Sequence, residues 1–224
     1  MKNPDKKALC QVIFSIIPRE KVAELVLYGS NKFGSDIDIF VILHGYDLYS
    51  SFSVGEIDFT IVGAAWLPTL IQNLDPIVIE PILTGERIYG REILPAKDEI
   101  KRRRGTINAA DYLLQCSDIC LAWATDHLDK KNFRASACCL VFAISYLLYA
   151  KRYALGRRVM IFKNLRVRME CQDLDRANSI FKGKKSPPEE DLVDLIENIH
   201  KSLTDMYNCL IVSPRLKREE KKPE

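Results

Sequence analysis

Residues 27–43 read LYGSNKFGSDIDIFVIL. Two apolar, strand-like runs flank a short polar segment, and that segment ends in Asp36-Ile37-Asp38. Side chains in a strand alternate between faces, so Asp36 and Asp38 would share one face while Ile37 and Ile39 turn into a core. Two like charges on one face repel, and aspartate is a poor strand former, so folding alone does not require them. A hard divalent cation takes oxygen ligands and offsets that repulsion.

Further along the chain the pattern repeats. VAELVLYG (22–29), DIDIFVIL (36–43) and EIDFTIVG (56–63) are rich in Val, Ile and Phe and read as three strands, with Asp58 set between Ile57 and Phe59. If the second and third strands are neighbours, Asp36, Asp38 and Asp58 converge. Three convergent carboxylates can hold two metal ions about 3.5–4 Å apart, the clamp used for in-line phosphoryl displacement. Gly29-Ser30 ends the first strand, and glycine lets a phosphate approach the backbone while N–H groups and a hydroxyl hold its oxygens. Lys32 is placed to add a charge on a triphosphate. Each feature alone has an ordinary explanation as a turn, a cap or a solvated lysine. Their order along the chain is what selects the site reading.

The remaining sequence sets the context. With 224 residues, 47% of them hydrophobic, the chain can bury one large core or two small ones. The segment 44–55 reads as a loop, 64–74 as a helix, and 76–92 as a short helix, a turn at Gly85 and an edge strand at Arg87–Tyr89. Beyond Pro95 the pattern turns helical, with stretches at 98–129, 132–154 and 157–182. A last helix opens on the capping box Ser186-Pro187-Pro188-Glu189 and carries the stripe Leu192, Leu195, Ile196, Ile199, Leu203, Met206, Tyr207 and Leu210. The expected fold is therefore α+β: a small mixed sheet with flanking helices, followed by an all-α helical bundle. The expected domains are 1–95 for catalysis, 96–212 as a bundle for acceptor binding or dimerisation, and 213–224 as a flexible basic tail.

Apolar runs such as LVFAISYLLYA (140–150) are too short to span a bilayer. Leu9, Val12, Ile13 and Ile16 follow the spacing of an amphipathic helix rather than a signal peptide. Seven cysteines without a CxxC pair fit reduced packing thiols in the cytoplasm and argue against zinc. Residues 1–96 carry 8 Lys/Arg against 12 Asp/Glu, and residues 97–224 carry 25 against 18, so an acidic front precedes a back half at +7.

The motifs resemble those of the nucleotidyltransferase superfamily related to DNA polymerase beta. Its pattern of h-G-[GS], then [DE]-h-[DE]-h, then h-[DE]-h falls on Tyr28-Gly29-Ser30, Asp36-Ile37-Asp38-Ile39 and Ile57-Asp58-Phe59. Glu86–Gly90 resembles the strand that closes the minimal domain, so the resemblance covers about residues 20–92. The helical half is similar only in pattern to the bundles of kanamycin-type and minimal nucleotidyltransferases. The resemblance implies an NTP substrate, with ATP expected, and two Mg²⁺ ions for which Mn²⁺ could substitute. It implies Asp36 and Asp38 as ligands to both metals. Asp58 would be a ligand to the catalytic metal and the activator of the attacking hydroxyl, with Gly29 and Ser30 holding the triphosphate. The chain departs from the family in one respect: only Asn31 to Ser35 separate Gly29-Ser30 from Asp36, a shorter spacer than usual.

The acceptor is less constrained. A back half at +7 has the wrong sign for a polycationic aminoglycoside, which leaves RNA or protein as the expected acceptor. No aromatic-interleaved RNA-binding signature is present. A HEPN-type ribonuclease needs an arginine shortly before a histidine, and neither His127 nor His200 has one. The competing class is a nucleotidyltransferase-like binding module without chemistry, favoured by the short spacer and opposed by the retained aspartates.

Overall fold

Three strands rich in β-branched and aromatic residues form where the sequence places them: β1 (Val22–Tyr28), β2 (Ile37–Leu43) and β4 (Ile57–Gly63). In this computed structural model residues 5–29, 37–45, 49–54, 57–161, 164, 172–182 and 189–219 are described. Ser30, Lys32, Asp36 and positions 186–188 of the expected capping box lie outside them.

The segment 44–55 is not a plain loop. Tyr49–Val54 forms β3, an edge strand antiparallel to β4. Its sequence YSSFSV alternates weakly and is half serine, so neither propensity nor hydrophobic period identifies it; pairing with β4 does. With β5 (Glu86–Gly90) the sheet order is β3-β4-β2-β1-β5. β2 and β4 run parallel, and every other neighbouring pair is antiparallel.

One face of this sheet packs Leu25, Leu27, Ile39, Val41, Leu43, Phe59 and Ile61 against Leu9 and Ile13 of α1 (Lys6–Ile16). Val12 and Ile16, expected on the same stripe, are exposed instead. A helix stripe only as wide as Leu9 and Ile13 suffices to cover the sheet. Val26, Phe40, Ile42 and Val62 are buried on the opposite face. There α3 (Pro76–Thr84), capped by Asp75 with a proline in its first turn, follows α2 (Leu67–Gln72) and packs on β1.

A buried carboxylate ties the chain after β5 to the sheet. Glu24 is 2% exposed and accepts hydrogen bonds from the Ile93 and Leu94 N–H groups at 2.9 and 3.2 Å. Glu24→Ala would leave one buried and one partly buried N–H without this acceptor, so urea unfolding should show a loss of roughly 2–4 kcal/mol.

The first compact unit runs to Arg103 and includes α4 (Lys97–Arg102). The helix expected over 98–129 is therefore interrupted, and α5 (Ile107–Asp129) begins afresh with Thr106 accepting from Ala109 N–H. Gly105 accounts for the break: a Cβ there would fall 2.3 Å from Tyr153 Cα, so the chain must pass close against another helix rather than coil.

The second unit, Arg104–Glu224, is helical. α6 (Phe133–Ala154) opens at the Asn132 cap, where the stretch 132–154 expected from the sequence begins, and packs on α5, on α7 (Gln172–Phe181) and on α8 (Glu189–Glu219). Contrary to the expectation from its apolar runs, α6 is by length and composition long and apolar enough to cross a membrane. It is nevertheless a core helix here, with Leu140, Ala143, Ile144, Leu147 and Tyr149 buried in the bundle. Ser117 donates to Ala143 O and Ser136 to Ala124 O, both at 2.8 Å, so small residues stitch α5 to α6. α8 continues to Glu219. The chain is thus an α+β sheet unit followed by an all-α bundle.

Candidate active site

The register of the sheet decides what can converge. Tyr28 pairs with Asp38 across β1 and β2, and Asp38 pairs with Asp58 across the parallel β2–β4 ladder. Paired residues share a face, so Tyr28, Asp38 and Asp58 form one row across three strands about 4.8 Å apart. The row lies where β1 ends and β2 and β4 begin. All three side chains are partly buried. Asp38 and Asp58 are thereby brought together as the sequence requires, while Ser30, Lys32 and Asp36 fall outside the described residues. Among the described residues no three ligating side chains gather into a metal cluster.

Gly29 stands against this row. Its φ is +87°, in the region that favours glycine, and a Cβ there would lie 2.0 Å from Asp38 Oδ2. The Asp38 carboxylate therefore occupies the space that a side chain at position 29 would fill. That cradle explains the glycine on grounds the turn alone does not give: it aims one carboxylate along the end of β1.

Sequence reasoning missed a hydroxyl pair beside the carboxylates. Tyr28 Oη and Thr60 Oγ1 are 3.2 Å apart. Thr60 stands two residues after Asp58 and so shares its face, a signal that strand periodicity could have supplied. Burial pushes the Tyr28 hydroxyl up to about 12, the Thr60 bond opposes that, and the negative charges of Asp38, Glu80 and Asp58 add to the rise. Glu80 comes from α3, and nothing in PIVIEPIL announces its approach, because only packing of that helix brings it there.

The shift has a sign that can be checked. The folded protein keeps the Tyr28 proton between pH 10 and 12 while the unfolded chain releases it, so stability is whole below pH 10 and falls toward pH 12. Tyr28→Phe should lose that alkaline limb, roughly 3 kcal/mol, in wild-type-minus-variant unfolding curves.

Fold and site together define an α+β protein with opposed carboxylates at the end of a mixed sheet, followed by a helical bundle. No protein-family model and no curated protein matches the sequence. Among solved structures, a nucleotidyltransferase-like protein from Exiguobacterium sibiricum 255-15 is similar at TM-score 0.40 and 11% identity, covering 98% of this chain and 81% of that one.

Proposed function

We propose that the protein is a nucleotidyltransferase that moves NMP from an NTP, with ATP expected, to an acceptor hydroxyl on RNA or protein in the cytoplasm. The observation that carries this reading is the register that sets Asp38 beside Asp58, with Gly29 cleared to receive the Asp38 carboxylate. An all-oxygen donor set of aspartates fits Mg²⁺ or Mn²⁺, and Asp36, Asp38 and Asp58 would hold it. Such ions, when bound, offset the carboxylate repulsion and the charge of the triphosphate.

The chain's own groups have distinct tasks. Gly29 and Ser30 hold triphosphate oxygens and Lys32 adds a positive charge. Asp58 takes the proton of the acceptor hydroxyl as its oxygen bonds to the α-phosphorus; the bond to the β-phosphate bridge breaks and pyrophosphate leaves. Tyr28 and Thr60 orient one another beside the carboxylates.

The test is incubation with each labelled NTP and Mg²⁺, with and without cellular RNA, for wild type and for Asp36→Ala/Asp38→Ala. Transfer by wild type alone is expected. Neither transfer nor NTP binding in either protein would end the enzyme reading. The five-residue spacer Asn31–Ser35 favours a second reading, a nucleotide-binding module without chemistry, for which the same assay would give binding without transfer.

A further inference from the structure

The helical unit gathers four arginines around one depression of about 340 Å³: Arg104, Arg152, Arg157 and Arg158. They arrive from three segments: the approach to α5, the last turn of α6 and the chain after it. Backbone geometry holds them together. Arg104 and Arg158 form an antiparallel bridge, and Gly105 N–H donates to Arg157 O at 2.9 Å. Arg152 Nε donates to Arg158 O at 2.7 Å. Gly105 permits the approach, since a Cβ would strike Tyr153. Like charges this close repel. Arg104, Arg157 and Arg158 are exposed, and among the described residues none forms an ion pair.

A second depression of about 510 Å³ adjoins the first and shares Gly156 with it. Thr106, Asn108, Tyr153 and Leu155 line it, and Leu155 is 72% exposed for an apolar side chain. One concavity thus offers guanidinium forks that match phosphate oxygens, and its neighbour offers the exposed Leu155 side chain beside amide and hydroxyl partners, with Tyr153 buried beneath. The N-terminal end of the 23-residue α5 opens into the second and adds positive potential.

We propose that this pair of depressions binds a single-stranded nucleic acid, the arginines taking its phosphodiester backbone and the adjoining surface an unpaired nucleoside. An acidic peptide would satisfy the forks but has no use for the second concavity. As the acceptor surface for the reaction above, the site rests on that reading; as a binding surface it is tested separately.

The experiment is fluorescence anisotropy on the full chain, with labelled RNA and DNA of one mixed sequence, about 15 nucleotides long. Arg157→Ala/Arg158→Ala should weaken binding roughly tenfold and flatten the salt slope by about 1.4, two phosphate contacts' worth. Arg157→Lys/Arg158→Lys should recover part of the loss, because charge returns without the fork. Lys130→Ala/Lys201→Ala removes the same charge from exposed positions in this unit and should bind as wild type does. Circular dichroism confirms that each variant is folded. Equal RNA and DNA affinity assigns recognition to the phosphodiester; tighter RNA assigns part of it to the 2′-hydroxyl. Binding unchanged in the arginine variants, an equal loss in the lysine control, or a glutamate-rich peptide competing as well as RNA would each overturn the proposal. Binding intact in a protein without transfer sinks the transferase reading alone. Transfer to a protein acceptor without nucleic-acid binding sinks this one alone.

Discussion

Asp58→Asn should remove NMP transfer, by roughly 10³-fold or more, while leaving the folded protein as stable as wild type or slightly more stable. The two halves of this expectation come from one geometry. Asp58 faces Asp38 directly across the parallel β2–β4 ladder, so neutralising it relieves a like-charge repulsion that the fold carries without ions. Asparagine keeps the shape and the capacity to accept hydrogen bonds, so packing is preserved. A residue retained for folding behaves in the opposite way: its loss lowers stability, and activity falls only as the folded population falls. Transfer rate and urea midpoint, measured on one preparation, separate the cases. A stability lowered by about 2 kcal/mol with proportionate activity would show Asp58 to be structural. Asp38→Asn should behave alike, and the double variant should be barely worse than either single one, because groups acting as a unit lose their effect together.

How much of this could be read from the chain follows from what each feature depends on. β1, β2 and β4 are dense in Val, Ile and Phe, so local propensity and burial agree, and the aspartates stand out against that background. β3 was hidden because an edge strand needs only one partner and tolerates serine on both faces. The break at Arg103–Thr106 was hidden because Gly105 answers to Tyr153, some fifty residues away in sequence. The gathering of the arginines around that break was hidden too, since a pattern along the chain says nothing about charges that a bridge brings together. Asp38 and Asp58 were legible as a pair only on the condition that their strands adjoin, and the parallel register meets it. Thr60 lay within reach of the same periodicity, whereas Glu80 depended on where α3 packs.

Gly29→Ala against Gly45→Ala gives the sharpest test of the cradle, because the two glycines share a backbone requirement and differ in their surroundings. Both have positive φ, +87° and +64°, so alanine at either position carries a backbone penalty of about 1–2 kcal/mol. At Gly45 a Cβ meets nothing within 4 Å, and the penalty ends there. At Gly29 the Cβ would lie 2.0 Å from Asp38 Oδ2, 3.0 Å from its Cγ and 3.3 Å from its Cβ. The carboxylate is the end of a short side chain and can turn away, so the sheet survives and Asp38 is displaced from Asp58. Both variants should therefore lose similar stability in thermal or urea unfolding. Only Gly29→Ala should also lose transfer, by roughly 10²-fold, the usual consequence of moving a reacting group by about 1 Å. The proposed Mg²⁺ site predicts a rise in the wild-type melting temperature on adding Mg²⁺, and Gly29→Ala should lose most of it, a readout independent of the acceptor. Equal activity in the two variants would mean that Asp38 need not sit against Gly29, and the aimed carboxylate would have no part in the chemistry.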